Sequence, residues 1–140
     1  MSQLVREVMT PAPVTVPRDA SVVQAAMLMR EHNIGDVLVT EDDRLYGVVT
    51  DRDIVVRAVA ESRDLTETPV GACCSSSGLA TVTPDQDATQ ALNLMRHKAI
   101  RRIPVVEEGR PVGVVSLGDL ALEGDPSSAL SDISAAPPNI

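Results

Sequence analysis

The sequence predicts an α+β (α/β) fold made of two β-α-β-β-α repeats related by a pseudo-twofold axis, and three observations predict it. The phrase "GVVTDRDI" (47–54) returns 66 residues later, from Gly47 to Gly113, as "GVVSLGDL" (113–120). At that offset the chain aligns on itself without a gap from about Thr15 to Leu122, with about sixteen paired residues identical, which marks a tandem duplication. Within each copy, short β-branched runs flank a stretch whose apolar residues recur at helical spacing.

Each copy opens on a short strand, "PVTV" (13–16) or "LATV" (79–82), followed by Pro and Asp in a turn. Asp19 or Ser21 then starts a helix with Val22, Ala25, Ala26, Leu28 and Met29 on its apolar side. Asp85 or Asp87 does the same for Ala88, Ala91, Leu92, Leu94 and Met95. The continuous apolar runs "DVLVT" and "RIPVV" suit strands covered on both faces. Polar turns, "EDDR" and "EEGR", lead into a third strand, and the hydroxyl-x-x-Asp phrase opens a second helix, "DIVVRAVAES" in the first copy.

The expected organisation is a first repeat over 4–62, a linker and lead-in over 63–78, a second repeat core over 79–122 and a Ser/Ala/Pro-rich tail over 123–140. In the linker "VGACC" echoes "VREVM" (5–9) as a lead-in turn, offset by 65 from Val5 to Val70. One unit of about sixty residues buries too little apolar surface to be comfortable alone, so the copies are expected to share their burial.

The 140 residues are 44% hydrophobic and 23% charged, which suits a globular chain, but they include no Trp, no Phe and one Tyr. That argues against an aromatic platform for single-stranded nucleic acid. A formal net charge of −8 without a long basic run makes nucleic acid and anionic membranes poor partners. No signal peptide or membrane-spanning stretch is readable, and a cytoplasmic location is expected. Cys73 and Cys74 are adjacent, unsuited to bridging each other, and read as structural thiols; a thiol sensor is the alternative. His32 and His97, at the end of the first helix in each copy, read as helix-end charges, and no metal site is expected.

Thr50-x-x-Asp53 and Ser116-x-x-Asp119 fit a capping box with Asp in place of Glu, an explanation that needs no ligand. The same groups could also serve a guest. An ionised Asp accepts from the two hydroxyls of a ribose diol, and a hydroxyl beside helix N–H groups suits a phosphate.

The residues "VMTPAPVTV", "MREHNIGDVLV", "GVVTDRDI", "IRRIPVV" and "GVVSLGDL" resemble the cystathionine-β-synthase (CBS) domain. Over roughly residues 4–122 the chain is similar to a stand-alone CBS pair, or Bateman module. The resemblance implies a regulatory module that binds an adenosine derivative (AMP, ADP, ATP or S-adenosylmethionine) in the inter-repeat cleft and signals by a change of shape. It implies Asp119 for ribose, Ser116 for phosphate or sugar, and Arg101 and Arg102 for phosphate, with Val14 and Ile34 against the base. The weaker first site would use Thr50, Asp53 and Arg52 with Ala80 and Val82. There Gly35 and Asp36 occupy the positions of the two arginines, so a carboxylate replaces positive charge; Arg52 compensates for it or pairs with Asp51 or Asp53.

No catalytic constellation is readable, so no enzyme and no required cofactor are expected. A homodimer through the helices and a separate protein effector are the expected partners. The alternative is a ligand-free dimeric scaffold in which the doubled phrase only caps helices.

Overall fold

The computed structural model describes residues 3–121, so the tail expected over 123–140 lies outside the described residues. The chain divides into two compact units: Val14–Leu79, and a second in which the residues up to Pro13 join those from Ala80 onward. In order, the elements are α1 (Val5–Val8), β1 (Thr10–Pro11), β2 (Thr15–Pro17), α2 (Val22–His32), β3 (Asp36–Glu41), β4 (Arg44–Thr50) and α3 (Asp51–Ile54). A π-helical turn (Val55–Val59) and a 3-10 turn (Val70–Ala72) follow. The second copy supplies α4 (Ala88–Lys98), β5 (Arg102–Glu107), β6 (Arg110–Ser116) and α5 (Leu117–Ala121). α2, β3 and β4 recur as α4, β5 and β6 at the 66-residue offset at both ends, as the duplication requires.

In the 14–79 unit β2 runs parallel to β3, and β3 pairs antiparallel with β4. In the other unit the order is β1-β6-β5, both pairings antiparallel. The central runs Val37-Leu38-Val39 and Ile103-Pro104-Val105 are buried without alternation, as strands covered on both faces should be. α2 and α4 press Val22, Ala25 and Met29, or Ala88, Ala91 and Met95, into their unit's aliphatic core.

Local chemistry explains the boundaries. Ser21 and Asp87, the second of the two expected candidates in each case, are the N-caps; each has its box partner, Gln24 or Gln90, three residues on. Both helices end on a left-handed residue, Asn33 (φ 54°) and Ala99 (φ 54°). Both hairpins turn on two positive-φ residues, Asp42 and Asp43 or Glu108 and Gly109, the type I′ geometry that matches strand twist.

One expected strand shrinks. "LATV" contributes only an isolated parallel bridge, Val82 to Val105. In the first copy the Leu38 N–H donates to the Val14 carbonyl at 3.2 Å, which helps hold β2 on β3. The residue aligned with Leu38 is Pro104, which has no N–H to give to Ala80, so the ladder is confined to the two hydrogen bonds made by Val82. The second expected helix of the first copy also changes character. After α3 it widens into the π turn, with Ala60 N–H donating to the Val55 carbonyl at 2.8 Å.

The lead-ins are exchanged. The chain start caps the second copy: the Gln3 carbonyl accepts from Ala88 N–H at 2.7 Å, the Val5 N–H donates to Gln86 at 2.8 Å, and β1 pairs with β6. The linker repeats those contacts on the first copy. There Thr68 accepts from Val22 at 2.9 Å, Val70 donates to Ala20 at 2.8 Å, and Ser75 bridges Val48.

This crossing explains the glycine that opens each doubled phrase. A Cβ on Gly47 would stand 2.6 Å from the Ser75 carbonyl oxygen and 2.9 Å from Cys74 Sγ. On Gly113 it would stand 2.8 Å from the Thr10 carbonyl oxygen and 2.7 Å from Met9 Sδ. Neither glycine has a positive φ, so the requirement is for space. Gly47→Ala and Gly113→Ala should each lose about 1–3 kcal/mol in urea unfolding. Gly118→Ala, whose Cβ would meet nothing nearer than Ser116 Oγ at 3.7 Å, should lose none.

Candidate functional site

In both copies the third strand delivers a hydroxyl residue and an Asp to the start of a short helix. Thr50 N–H donates to Asp53 Oδ2 at 2.9 Å, and Asp53 N–H donates to Thr50 Oγ1 at 3.0 Å. Ser116 N–H donates to Asp119 Oδ2 at 2.8 Å, and Asp119 N–H donates to Ser116 Oγ at 3.2 Å. Each is a reciprocal capping box in half-buried surroundings, so the ligand-independent explanation of the phrase is structurally real. It uses one carboxylate oxygen. Asp119 Oδ1 takes no hydrogen bond among the described residues.

What surrounds the two boxes differs in sign. In the second copy Arg102 is the strand partner of Ser116, and the Arg101 carbonyl accepts from Leu117 N–H at 2.8 Å. Both arginines are exposed, and the backbone thus brings them to the helix start that carries Ser116 and Asp119. In the first copy the matching places are Asp36, the strand partner of Thr50, and Gly35, whose carbonyl accepts from Asp51 N–H at 2.9 Å. A Cβ on Gly35 would lie 3.3 Å from Asp51 Oδ2, so a carboxylate closes over this position. The first helix start therefore carries Asp36, Asp51 and Asp53 where the second carries Arg102, Leu117 and Asp119.

The cation that answers Asp53 is Arg57, a residue the sequence reading passed over. Its Nε lies 3.9 Å from Asp53 Oδ1, and its Nη1 donates to the carbonyls of Cys73 and Cys74 at 3.2 and 3.3 Å. The i,i+4 spacing from Asp53 was the available signal. Arg52 is exposed, and its backbone N–H donates to Asp51 Oδ1 at 2.8 Å; its guanidinium forms no ion pair with Asp51 or Asp53.

The residues expected against the base are divided between the units: Val14 and Ile34 belong to 14–79, and Ala80 and Val82 to the other. Val14 and Ile34 are partly buried on their unit's core, whereas Val82 is 2% exposed within its own. His32 and His97 stand in the exposed last turns of α2 and α4. Among the described residues no three His, Cys, Asp or Glu side chains are grouped to hold a metal, and no helix is long and apolar enough to cross a membrane.

The sequence profile of the CBS domain matches residues 5–59 and 70–123. The chain belongs to the CBS domain family. Within that family, the CBS domain-containing protein YhcV of Bacillus subtilis is 39% identical over 134 residues, 93% of this chain and 94% of its own. A crystal structure of Hypoxic Response Protein I with two coordinated zinc ions has a TM-score of 0.79 at 32% identity, covering 87% of this chain and 99% of that one. CBS domain protein PAE2072 from Pyrobaculum aerophilum, complexed with AMP, has a TM-score of 0.75 at 30% identity, covering 96% of this chain and 100% of its own. This CBS pair thus shares its architecture with a zinc-bearing and a nucleotide-bound relative.

Cys73 and Cys74 are free thiols of the linker, buried against the core of the first copy, and burial pushes both above the ordinary thiol pKa. A thiol that holds its proton more tightly when folded favours the native state less as pH rises past the ordinary value of about 8.5. Stability should therefore fall above that pH, and Cys73→Ala with Cys74→Ala should flatten the decline in a series of urea titrations. Native thiol alkylation at pH 7 should be slow for both.

Proposed function

We propose that this CBS pair is a non-catalytic regulatory module that binds an adenosine derivative and passes its occupancy to a separate protein by a change of conformation. The observation that carries this reading is the second-copy helix start, where Ser116 and Asp119 stand beside backbone-anchored Arg101 and Arg102. An acidic chain needs such a local concentration of positive charge to take a phosphate. The AMP complex of PAE2072 supports the choice of ligand class. The chemistry proposed for this half is a diol on Asp119 and a phosphate on the arginines and Ser116. The first copy, lined by Asp36, Asp51 and Asp53, would be left vacant or take an uncharged adenosyl group.

A ligand-free scaffold remains the second reading, because both carboxylates already satisfy a helix start. Isothermal calorimetry with AMP, ATP and S-adenosylmethionine separates the two. A saturable heat with a phosphorylated ligand, lost in Asp119→Ala and weakened about tenfold or more in Arg101→Ala, supports the regulatory reading. Flat titrations with all three support the scaffold.

We further propose a homodimer through the helices. Met27, Val55, Val56 and Val59 are large apolar residues between 43% and 56% exposed, and they belong to α2 and the π turn of one unit. Beside them Val22, Val23, Ala26, Arg30, Ile54 and Leu65 line a shallow groove of about 350 Å³. Apolar side chains so exposed are explained by association. Light scattering should give twice the chain mass for the wild type and a monomer for Val55→Glu with Val59→Glu. A monomeric wild type would refute the interface.

A further inference from the structure

Arg57 joins two polar parts of the first unit through its guanidinium. One is Asp53, whose Oδ2 is committed to the Thr50 box and whose side chain is 15% exposed. The other is the linker segment at Cys73 and Cys74, where two consecutive carbonyls accept from a single guanidinium nitrogen. That segment also makes the Ser75–Val48 bridge, with hydrogen bonds of 2.9 Å in both directions, and lies over Gly47. We infer that Arg57 is a positioning residue through which the charge state and occupancy of Asp53 govern how firmly the linker segment 73–75 is held. The functional half of this inference, that the occupant is an adenosine derivative, rests on the function proposed above.

The argument is electrostatic. Two carbonyl hydrogen bonds hold the guanidinium, and the Asp53 charge, 3.9 Å away and so beyond hydrogen-bond reach, adds an attraction that favours this placement of Arg57. A sugar hydroxyl donating to Asp53 Oδ1 spreads the same negative charge over a second partner, and the hold on Arg57 slackens. The carbonyls of Cys73 and Cys74 then lose their donor, and the bridge from Ser75 to Val48 opens more often. The device is specific to the first copy, because the residue aligned with Arg57 is Glu123. A first site ill suited to phosphate would thus report its occupant through the chain segment that leads into the second copy.

Hydrogen exchange at the Ser75 and Val48 amides tests this in the full-length protein. Asp53→Asn retains an acceptor for Thr50 but removes the charge, and it should speed both amides roughly twofold. Arg57→Gln should do the same, and the double variant should be no faster than Arg57→Gln alone. Arg57→Lys, which keeps the charge without the fork, should fall between, and far-ultraviolet circular dichroism identifies any variant that fails to fold. Unchanged Ser75 exchange in Asp53→Asn, or fully additive effects, would overturn the coupling. Adenosine added to the wild type should speed the same amides, and the effect should vanish in Arg57→Gln. If adenosine has no effect while the ligand-free variants remain non-additive, the adenosyl reading of the first site is what falls.

Discussion

Both units depend on a stretch of backbone lying against the third strand of a repeat where that strand has no side chain. Gly47 and Gly113 leave room for the carbonyls of Ser75 and Thr10, and Val48 and Val114 then pair with the arriving segments. Because each helix after the third strand begins only a few residues beyond its glycine, the same contact fixes where the hydroxyl and carboxylate of the phrase emerge. The first N–H of α2 and of α4, beyond the reach of the Ser21 and Asp87 caps, also finds its acceptor in these segments, at the carbonyls of Thr68 and Gln3. One steric allowance thus supports the sheet edge and the start of the long helix, and lies beside the polar helix start.

The exchange of lead-ins makes sequence repeat and compact unit different objects. Residues up to Pro13, which open the first repeat in sequence, complete the core of the second, with Val5 fully buried beside Ala88, Met95 and Leu117. The linker, which introduces the second copy, completes the first through Val70, Cys73 and Cys74. A small aliphatic core, with Tyr46 packed against the first and no Trp or Phe in the chain, has few ways to exclude water, and these borrowed residues supply part of what each copy lacks. It follows that the two cysteines are better understood as packing residues: they occupy the places that Val8 and Met9 fill in the lead-in of the other copy, at the 65-residue offset.

Duplication preserved backbone geometry more strictly than surface chemistry. Four positive-φ positions recur in register, as Ala12 and Gly78, Asn33 and Ala99, Asp42 and Glu108, Asp43 and Gly109. Several of these pairs exchange a residue suited to that conformation for one that is not, so tertiary packing maintains the shape. At the helix starts the reverse holds. The backbone hydrogen bonds from Asp51 N–H to the Gly35 carbonyl and from Leu117 N–H to the Arg101 carbonyl are equivalent, but the charges they position are opposite.

Most of the architecture and the two capping boxes at the helix starts were legible in residue order. Helical spacing, the uninterrupted apolar runs, the hairpin turns and the hydroxyl-x-x-Asp phrase are local signals, written within a few residues of the structure they specify. The repeat converted each of them into two independent readings. Contacts between distant segments decided the rest. The loss of the strand at 79–82 follows from Pro104, more than twenty residues away, and the need for Gly47 from a linker carbonyl that only folding brings close. Arg57 stood at a legible spacing from Asp53, but its grip on Cys73 and Cys74 required the linker to cross beneath it. Sequence specifies such features only through the packing of the whole unit, because a steric vacancy or a shared hydrogen-bond donor has no meaning until its neighbour arrives.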